Sequence, residues 1–328
     1  RKNERSYKNN LTKPNIEGQK MLYSNWIVKW LQRKEQLVKE STFAAYSNIV
    51  VNHLLPKFGG MKLEQITEEV IQDYVFELLK HGRLDGSGGM GERASKDIVI
   101  VLKNTLRDAM RAKLIKTSVF EIRFPSFNSQ YKVKVLSPAE QKLLCDAIDS
   151  NLTTRSAGIF LSLHTGMRIG EVCALRWMDV DMDDRMIHIN HTLQRVYKKD
   201  LSGSGKSKLL LSTPKTKTSR RSIPISKSLF AVMKELSPSC PDMFFLSGSE
   251  KMVEVRTFRT FFEAFLMRNG IEKFNFHVLR HTFATRCIEA GADCKTVSEL
   301  LGHATVNMTL NLYVHPRLEQ KRNCVELI

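Results

Sequence analysis

A polar break between two unlike halves constrains this chain most. From about Phe124 to Val135 the apolar periodicity stops, and the stretch carries Pro125, Ser126, Asn128 and Ser129 with basic Lys132 and Lys134. A segment of that composition joins domains rather than lying inside one. Before it, every apolar pattern has helical spacing; after it, helix-like and strand-like patterns mix. The chain has 328 residues, enough for two separate cores. The expected fold is mainly α with a small antiparallel β-sheet. A basic flexible arm covers 1–16, a helical domain 17–120, a linker 121–136 and an α+β domain 137–328.

In the helical block, Met21, Leu22, Trp26, Ile27, Trp30 and Leu31 build one apolar face. A second helix runs from Ser41, as its cap, through Phe43, Tyr46, Ile49, Val50 and Leu54, and Pro56 with Gly59 and Gly60 stops it. A third has Thr67 as cap and Glu68 and Glu69 in its first turn, where acids suit the helix dipole. A fourth carries Ile98, Val101, Leu102, Leu106 and Met110. Between the last two lies Gly82–Glu92, rich in glycine. It has neither the preceding strand nor the terminal Lys-Ser/Thr of a phosphate-binding loop, so it reads as a connection.

Ser137-Pro138-Ala139-Glu140 opens the second block with a cap, a proline at the first helical position and an acid that closes a capping box. Met186–Val196 alternates like a strand, the polar LSGSGKSK loop follows, and further strands are expected at Leu209–Ser212 and Ser222–Ile225.

Lys and Arg total 51 against 34 Asp and Glu, a formal charge of +17, which points to a polyanionic partner. No run approaches the length of a membrane span and the start lacks a signal peptide's apolar stretch, so a cytoplasmic, nucleoid-associated location is expected. The six cysteines form no C-x-x-C pair, which disfavours a structural zinc site and a disulfide framework.

Three local patterns carry the chemistry. Thr165–Glu171 (TGMRIGE) places Arg168 between two glycines, with Glu171 three residues on to brace it or to cap the next helix. Phe276–Asp293 puts His277 and Arg280 three apart on one helix face, where an imidazole and a guanidinium donate together to one phosphate. His277 and His281 are four apart, but no glutamate lies between them and Arg280 does, so no metal is expected. Leu300–Pro316 holds His303 after a glycine, then Tyr313 and His315. Tyr313 is one of seven tyrosines and means little alone. The set suits attack on a phosphodiester. Arginine forks match the charge on the non-bridging oxygens, and a tyrosyl ester conserves the bond energy for religation. Such a step needs no ATP or other cofactor.

In R-x-x-E at Arg168 and Glu171, H-x-x-R at His277 and Arg280, L-G-H at His303 and the tyrosine at 313, the chain resembles the tyrosine recombinase (phage integrase) family. Integrases of conjugative transposons and temperate phages are the nearest in look. The resemblance implies a two-domain, C-shaped DNA clamp: a helical core-binding domain and a tyrosine-recombinase catalytic domain. It implies a site-specific recombinase that cleaves and rejoins double-stranded DNA through a 3′-phosphotyrosyl intermediate. Arg168 and Arg280 would clamp the scissile phosphate, His277 and His303 would hydrogen-bond it, and Tyr313 would attack. The family's lysine acid, carried on a β-hairpin, would fall in Thr213–Arg221, with Lys215 favoured and Lys217 open. A homo-tetramer on two duplexes is implied, with the tail 314–328 exchanged between protomers. Residues 1–16 are too short for the arm-binding domain that several integrases carry. A type IB topoisomerase-like nicking and closing enzyme and a chromosome-dimer-resolving recombinase share the same chemistry. A DNA-binding module that has lost catalysis would be expected to have lost some of these residues.

Overall fold

The computed structural model describes residues 21–116, 120–125, 133–214, 217–238, 240–313, 322, 325 and 326, with the backbone alone at 217 and 311–313. The expected arm over 1–16, Lys215 and nearly all of the tail 314–328 lie outside the described residues. The chain divides into two compact units, one of 1–129 with 196–208, the other of 130–195 with 209–328.

The first unit is built on α1 (Tyr23–Leu37), α2 (Glu40–Ile49), a wide π-type turn (Val50–Leu54), α3 (Leu55–Phe58), α4 (Glu68–His81) and α5 (Glu92–Arg111). Its core gathers Trp26, Ile27, Trp30, Leu54, Ile71, Val75 and Leu102. Two indoles are also fixed by polar ends: Trp26 donates to the Thr105 carbonyl (3.0 Å) and Trp30 to Asp108 (2.9 Å). Thr67 caps α4 through the Val70 N–H, as its sequence suggests. Two expectations fail here. Ser41 is not a cap, because α2 already begins at Glu40, after Lys39. Of the three residues expected to stop the second helix, Gly59 and Gly60 do follow its last residue, Phe58, but Pro56 does not end it. Proline lacks an N–H and clashes with the carbonyl four residues back, but the π-turn widens the coil just before it and the chain continues helically to Phe58.

The segment Val196–Lys208 folds as part of this unit although it comes from the later half of the chain. The Asn48 side chain donates to the Tyr197 carbonyl (2.6 Å) and accepts from the Lys199 N–H (2.9 Å). Ion pairs Lys198–Glu35 and Lys208–Glu40, both at 2.7 Å, flank that contact.

In the second unit, α6 (Pro138–Ser150) starts with the capping box expected of Ser137 and Glu140. Helix α7 (Thr154–Thr165) runs through the centre, buried from Ser156 to Leu163, and α8 (Ile169–Ala174) follows after one tight turn. A helix apolar on all sides needs partners all round, and α9 (Lys227–Leu236), α10 (Val255–Arg268) and α11 (His277–Glu289) supply them. Then come α12 (Cys294–Leu301) and α13 (Val306–Tyr313).

The strand pattern differs from the single run expected over 186–196. It breaks at Asn190–His191 into β2 (Met186–Ile189) and β3 (Thr192–Lys199). With β1 (Val180–Asp181) and β5 (Arg221–Pro224), β2 forms an antiparallel sheet in the order β1-β2-β5, in which Ile189 pairs with Arg221. Strand β3 pairs instead with β4 (Gly205–Ser212), which takes up half of the expected LSGSGKSK loop. Strands β4 and β5, which flank the expected hairpin, thus lie in different sheets and do not pair with each other. No helix among the described residues is long and apolar enough to cross a membrane.

Candidate active site

The turn between α7 and α8 is made by Gly166, which adopts a left-handed conformation (φ 67°). A Cβ there would stand 2.7 Å from both Leu301 and Phe283, so only glycine lets the backbone come this close to them. Ser162 donates to the Met167 carbonyl (2.9 Å) and Thr165 to that of Leu161 (2.6 Å), which pins the turn. Arg168 leaves it as the residue ahead of α8.

Glu171 takes both roles open to it from the sequence. One oxygen accepts from the Arg168 backbone N–H (2.9 Å) and the other from the Arg168 guanidinium (2.8 Å). It has a second cationic partner that sequence reasoning missed. Arg221, at the start of β5, donates to the same two oxygens at 2.9 and 3.2 Å. The Glu171 and Arg221 side chains are 3% and 5% exposed, against 36% for Arg168. Burial alone would raise the Glu171 pKa; the Arg221 guanidinium, then Arg168, outweighs it and holds the carboxyl below its usual range. The only sequence signal was the basic run Ser219-Arg220-Arg221, in which nothing separates an inward arginine from its neighbours.

Arg280 lies on α11, 1% exposed, and donates to the carbonyls of Gly166 and Leu301, both at 2.8 Å. Arg168 reaches the carbonyl of Gly302 (3.3 Å) and Arg221 that of Leu300 (2.5 Å). Three successive carbonyls at the end of α12 thus each accept from a different arginine. A helix C-terminus leaves such carbonyls unpaired and carries partial negative charge, which suits guanidinium donors. Gly302 (φ 65°) turns the chain there and delivers His303 beside the cluster.

His303 is buried, and its Nδ1 shares a hydrogen bond with the Thr309 hydroxyl (2.8 Å). Burial first, then Arg280, Arg168, Arg221 and His277, push its pKa down to about 4. His277 opens α11 and stays exposed as a residue. Desolvation of its ring, then His281, Arg280 and Arg168, with Glu171 opposing, lower it also to about 4. The His277 and His281 rings meet edge to face, 4.6 Å between centroids. Both site histidines are therefore neutral near pH 7, each with one nitrogen to donate and one to accept. No group of three or more His, Cys, Asp or Glu among the described residues is placed to hold a metal ion. A recess of about 550 Å³ opens beside Arg221 and His303, lined also by Thr218, Arg220, Lys295 and Ser298.

The fold thus gathers Arg168, His277, Arg280 and His303 in one unit. Tyr313 is the last residue of α13, the helix whose Thr309 holds His303. Lys217 begins a short 3₁₀ turn, Lys217–Ser219.

The profile described as "Phage integrase family" matches residues 134–320, and that of "Phage integrase, N-terminal SAM-like domain" matches residues 22–79. The chain is 27% identical over 339 residues to a tyrosine recombinase XerC-like protein of Caldanaerobacter subterraneus subsp. tengcongensis, which spans 96% of this chain and 84% of that one. It is 28% identical over 211 residues to the transposase from transposon Tn916 of Enterococcus faecalis, covering 56% of this chain and 48% of the transposase. Among solved structures it superposes on the Tn1549 transposon integrase in complex with transposon right end DNA. The TM-score is 0.74 at 20% identity, over 93% of this chain and 99% of the other.

Proposed function

The chain belongs to the phage integrase family of tyrosine recombinases, enzymes that break and rejoin DNA, and from that premise we propose that it integrates and excises a mobile element, using Tyr313 as nucleophile. The Tyr313 oxygen attacks the scissile phosphorus and gives up its proton. The bond from phosphorus to the 5′ oxygen breaks, and that oxygen takes a proton as it leaves. The product is a 3′-phosphotyrosyl link with a free 5′ hydroxyl, and religation is the same step reversed. No outside energy source is consumed, because one phosphoester replaces another.

The observation that carries this reading is the cluster of arginines around two neutral histidines. Arg168 and Arg280 supply guanidinium charge where the non-bridging oxygens become more negative. His303 and His277 donate to the phosphate, and neutral His277 is in the form that accepts the tyrosine proton. Tyr313 ends α13, four residues after Thr309, whose hydroxyl bonds His303. Lys215, with Lys217 as the alternative, protonates the leaving oxygen.

The helical domain over 17–120 holds the DNA core site, 121–136 links it, and 137–328 performs the chemistry. Exchange between two duplexes needs four strand cuts, hence four tyrosines and a homo-tetramer, with the tail 314–328 docking on a neighbouring protomer. The 28% identity to a transposon's transposase supports the mobile-element reading. The enzyme works on the nucleoid, in the cytoplasm.

A suicide DNA substrate carrying the element's end tests the reading. A covalent protein–DNA adduct is expected from the wild-type protein and none from Tyr313→Phe; an adduct from the phenylalanine variant refutes the assignment. Arg168→Ala should bind DNA but not cleave it, and equal loss of both would make Arg168 a plain phosphate anchor.

A further inference from the structure

We propose that Arg221 is a positioning residue for strand cleavage, setting the place and the charge of the Arg168 guanidinium through Glu171. The proposal rests on the function proposed above and adds a residue that does not touch the phosphate.

The geometry supplies two reasons. The first is orientation. Arg168 is a long side chain with much rotamer freedom to lose, and it is the most accessible of the three arginines. Its brace is Glu171, whose two oxygens accept four charge-assisted hydrogen bonds, two from Arg168 and two from Arg221. Arg221 is tied in turn to the Leu300 carbonyl through Nε and to the Ser219 carbonyl through Nη1 (3.3 Å). It therefore fixes Glu171 to the sheet and to the end of α12 at once. Without it the carboxylate is held only by the arginine it is meant to hold.

The second reason is charge. A buried carboxylate against Arg168 would cancel the charge that a phosphate needs to meet. Arg221 supplies a second cation to the same carboxylate, so the trio Arg168–Glu171–Arg221 is net +1 rather than neutral as a pair. Because Arg221 is almost wholly buried and spends three donor groups on Glu171 and Leu300, its charge acts through this network.

The test uses Arg221→Lys, which keeps a cation but loses the two-pronged grip on Glu171. Single-turnover adduct formation, DNA affinity and melting midpoint are measured together on the full chain. Adduct formation, measured well below the lowered melting midpoint that loss of a buried grip brings, should slow about a hundredfold, the scale of a misplaced reacting group, while DNA affinity stays near wild type. Combining Arg221→Lys with Glu171→Gln should cost no more than the worse single change, since both act through one carboxylate. A substrate with a neutral methylphosphonate at the scissile position asks less of the Arg168 charge, so there the deficit should shrink to about tenfold or less. Wild-type cleavage by Arg221→Lys, multiplying losses in the double variant, or an undiminished deficit on the neutral substrate each overturns the proposal. Should Arg221→Lys fail to fold, Glu171→Asp, which shortens the brace by one methylene, must show the same contrast between the two substrates. Absence of a Tyr313-dependent adduct from the wild-type protein would refute the underlying function instead, before any variant is compared.

Discussion

Acidification should destabilise this protein through His303 in a way that one substitution reveals. An unfolded histidine titrates near 6.5, and His303 in the folded chain near 4. The folded pKa is the lower one, so as pH falls the unfolded chain takes up the proton first. Stability is therefore undiminished above the unfolded value, is lost between the two values and levels off below about 4. From pH 7 to pH 5 the linkage amounts to about 2 kcal/mol for this one residue. The assay is urea unfolding across that range for the wild-type protein and His303→Gln, whose amide can still bond Thr309. Carboxylates titrate in both proteins, so their contribution cancels in the difference. The wild type should lose about 2 kcal/mol more than the variant. Saturating DNA should shrink that gap, because a bound phosphate favours the imidazolium. Parallel stability curves would refute the argument that the arginines and burial keep His303 neutral.

Two glycines give sharper structural tests. Gly302→Ala places a Cβ at a left-handed φ of 65°, 3.1 Å from Arg221 Nη1 and from the Thr218 carbonyl. It should lower stability by about 1–2 kcal/mol and slow adduct formation; wild-type cleavage would mean that the end of α12 does not align the arginines. Gly158→Ala puts a Cβ 2.2 Å from Leu246 and 3.0 Å from Phe258 in the core of the second unit. It should lower the unfolding free energy by about 1–3 kcal/mol and leave cleavage intact well below the melting midpoint, whereas an unchanged midpoint would show that the core yields there freely.

What was legible in the sequence is what is local. The caps at Thr67 and Ser137 and the bracing of Arg168 by Glu171 span three residues each, and such contacts follow from helix geometry alone. The strand pattern was read less well because alternation reveals a strand but not its partner. Residues 186–199 alternate almost throughout, yet β2 joins β5 and β3 joins β4, and the break at Asn190–His191 is set by those distant pairings. The helix through Pro56 escaped for a different reason. A proline forbids a regular turn, and only the tertiary packing of Val50 and Leu54 shows that the coil widens before it rather than stopping.

Arg221 escaped because its importance is a matter of destination. In sequence it sits fifty residues from Glu171 and seventy-nine from Leu300. Only the fold brings the edge of a sheet, the start of α8 and the end of α12 together. That convergence links the two halves of the proposed chemistry. Burial first, and then the same guanidinium charge that would receive the phosphate, lower the pKa of His277 and His303 and keep both neutral in the empty site. A neutral imidazole is the form that can accept a proton from a tyrosine. Once a phosphate enters, its negative charge offsets that of the arginines, and the imidazolium becomes easier to form at the moment when a proton must be held. Phosphate capture and proton transfer would thus be coupled by one cluster of charges, and the carbonyls at the end of α12 are what hold that cluster in place.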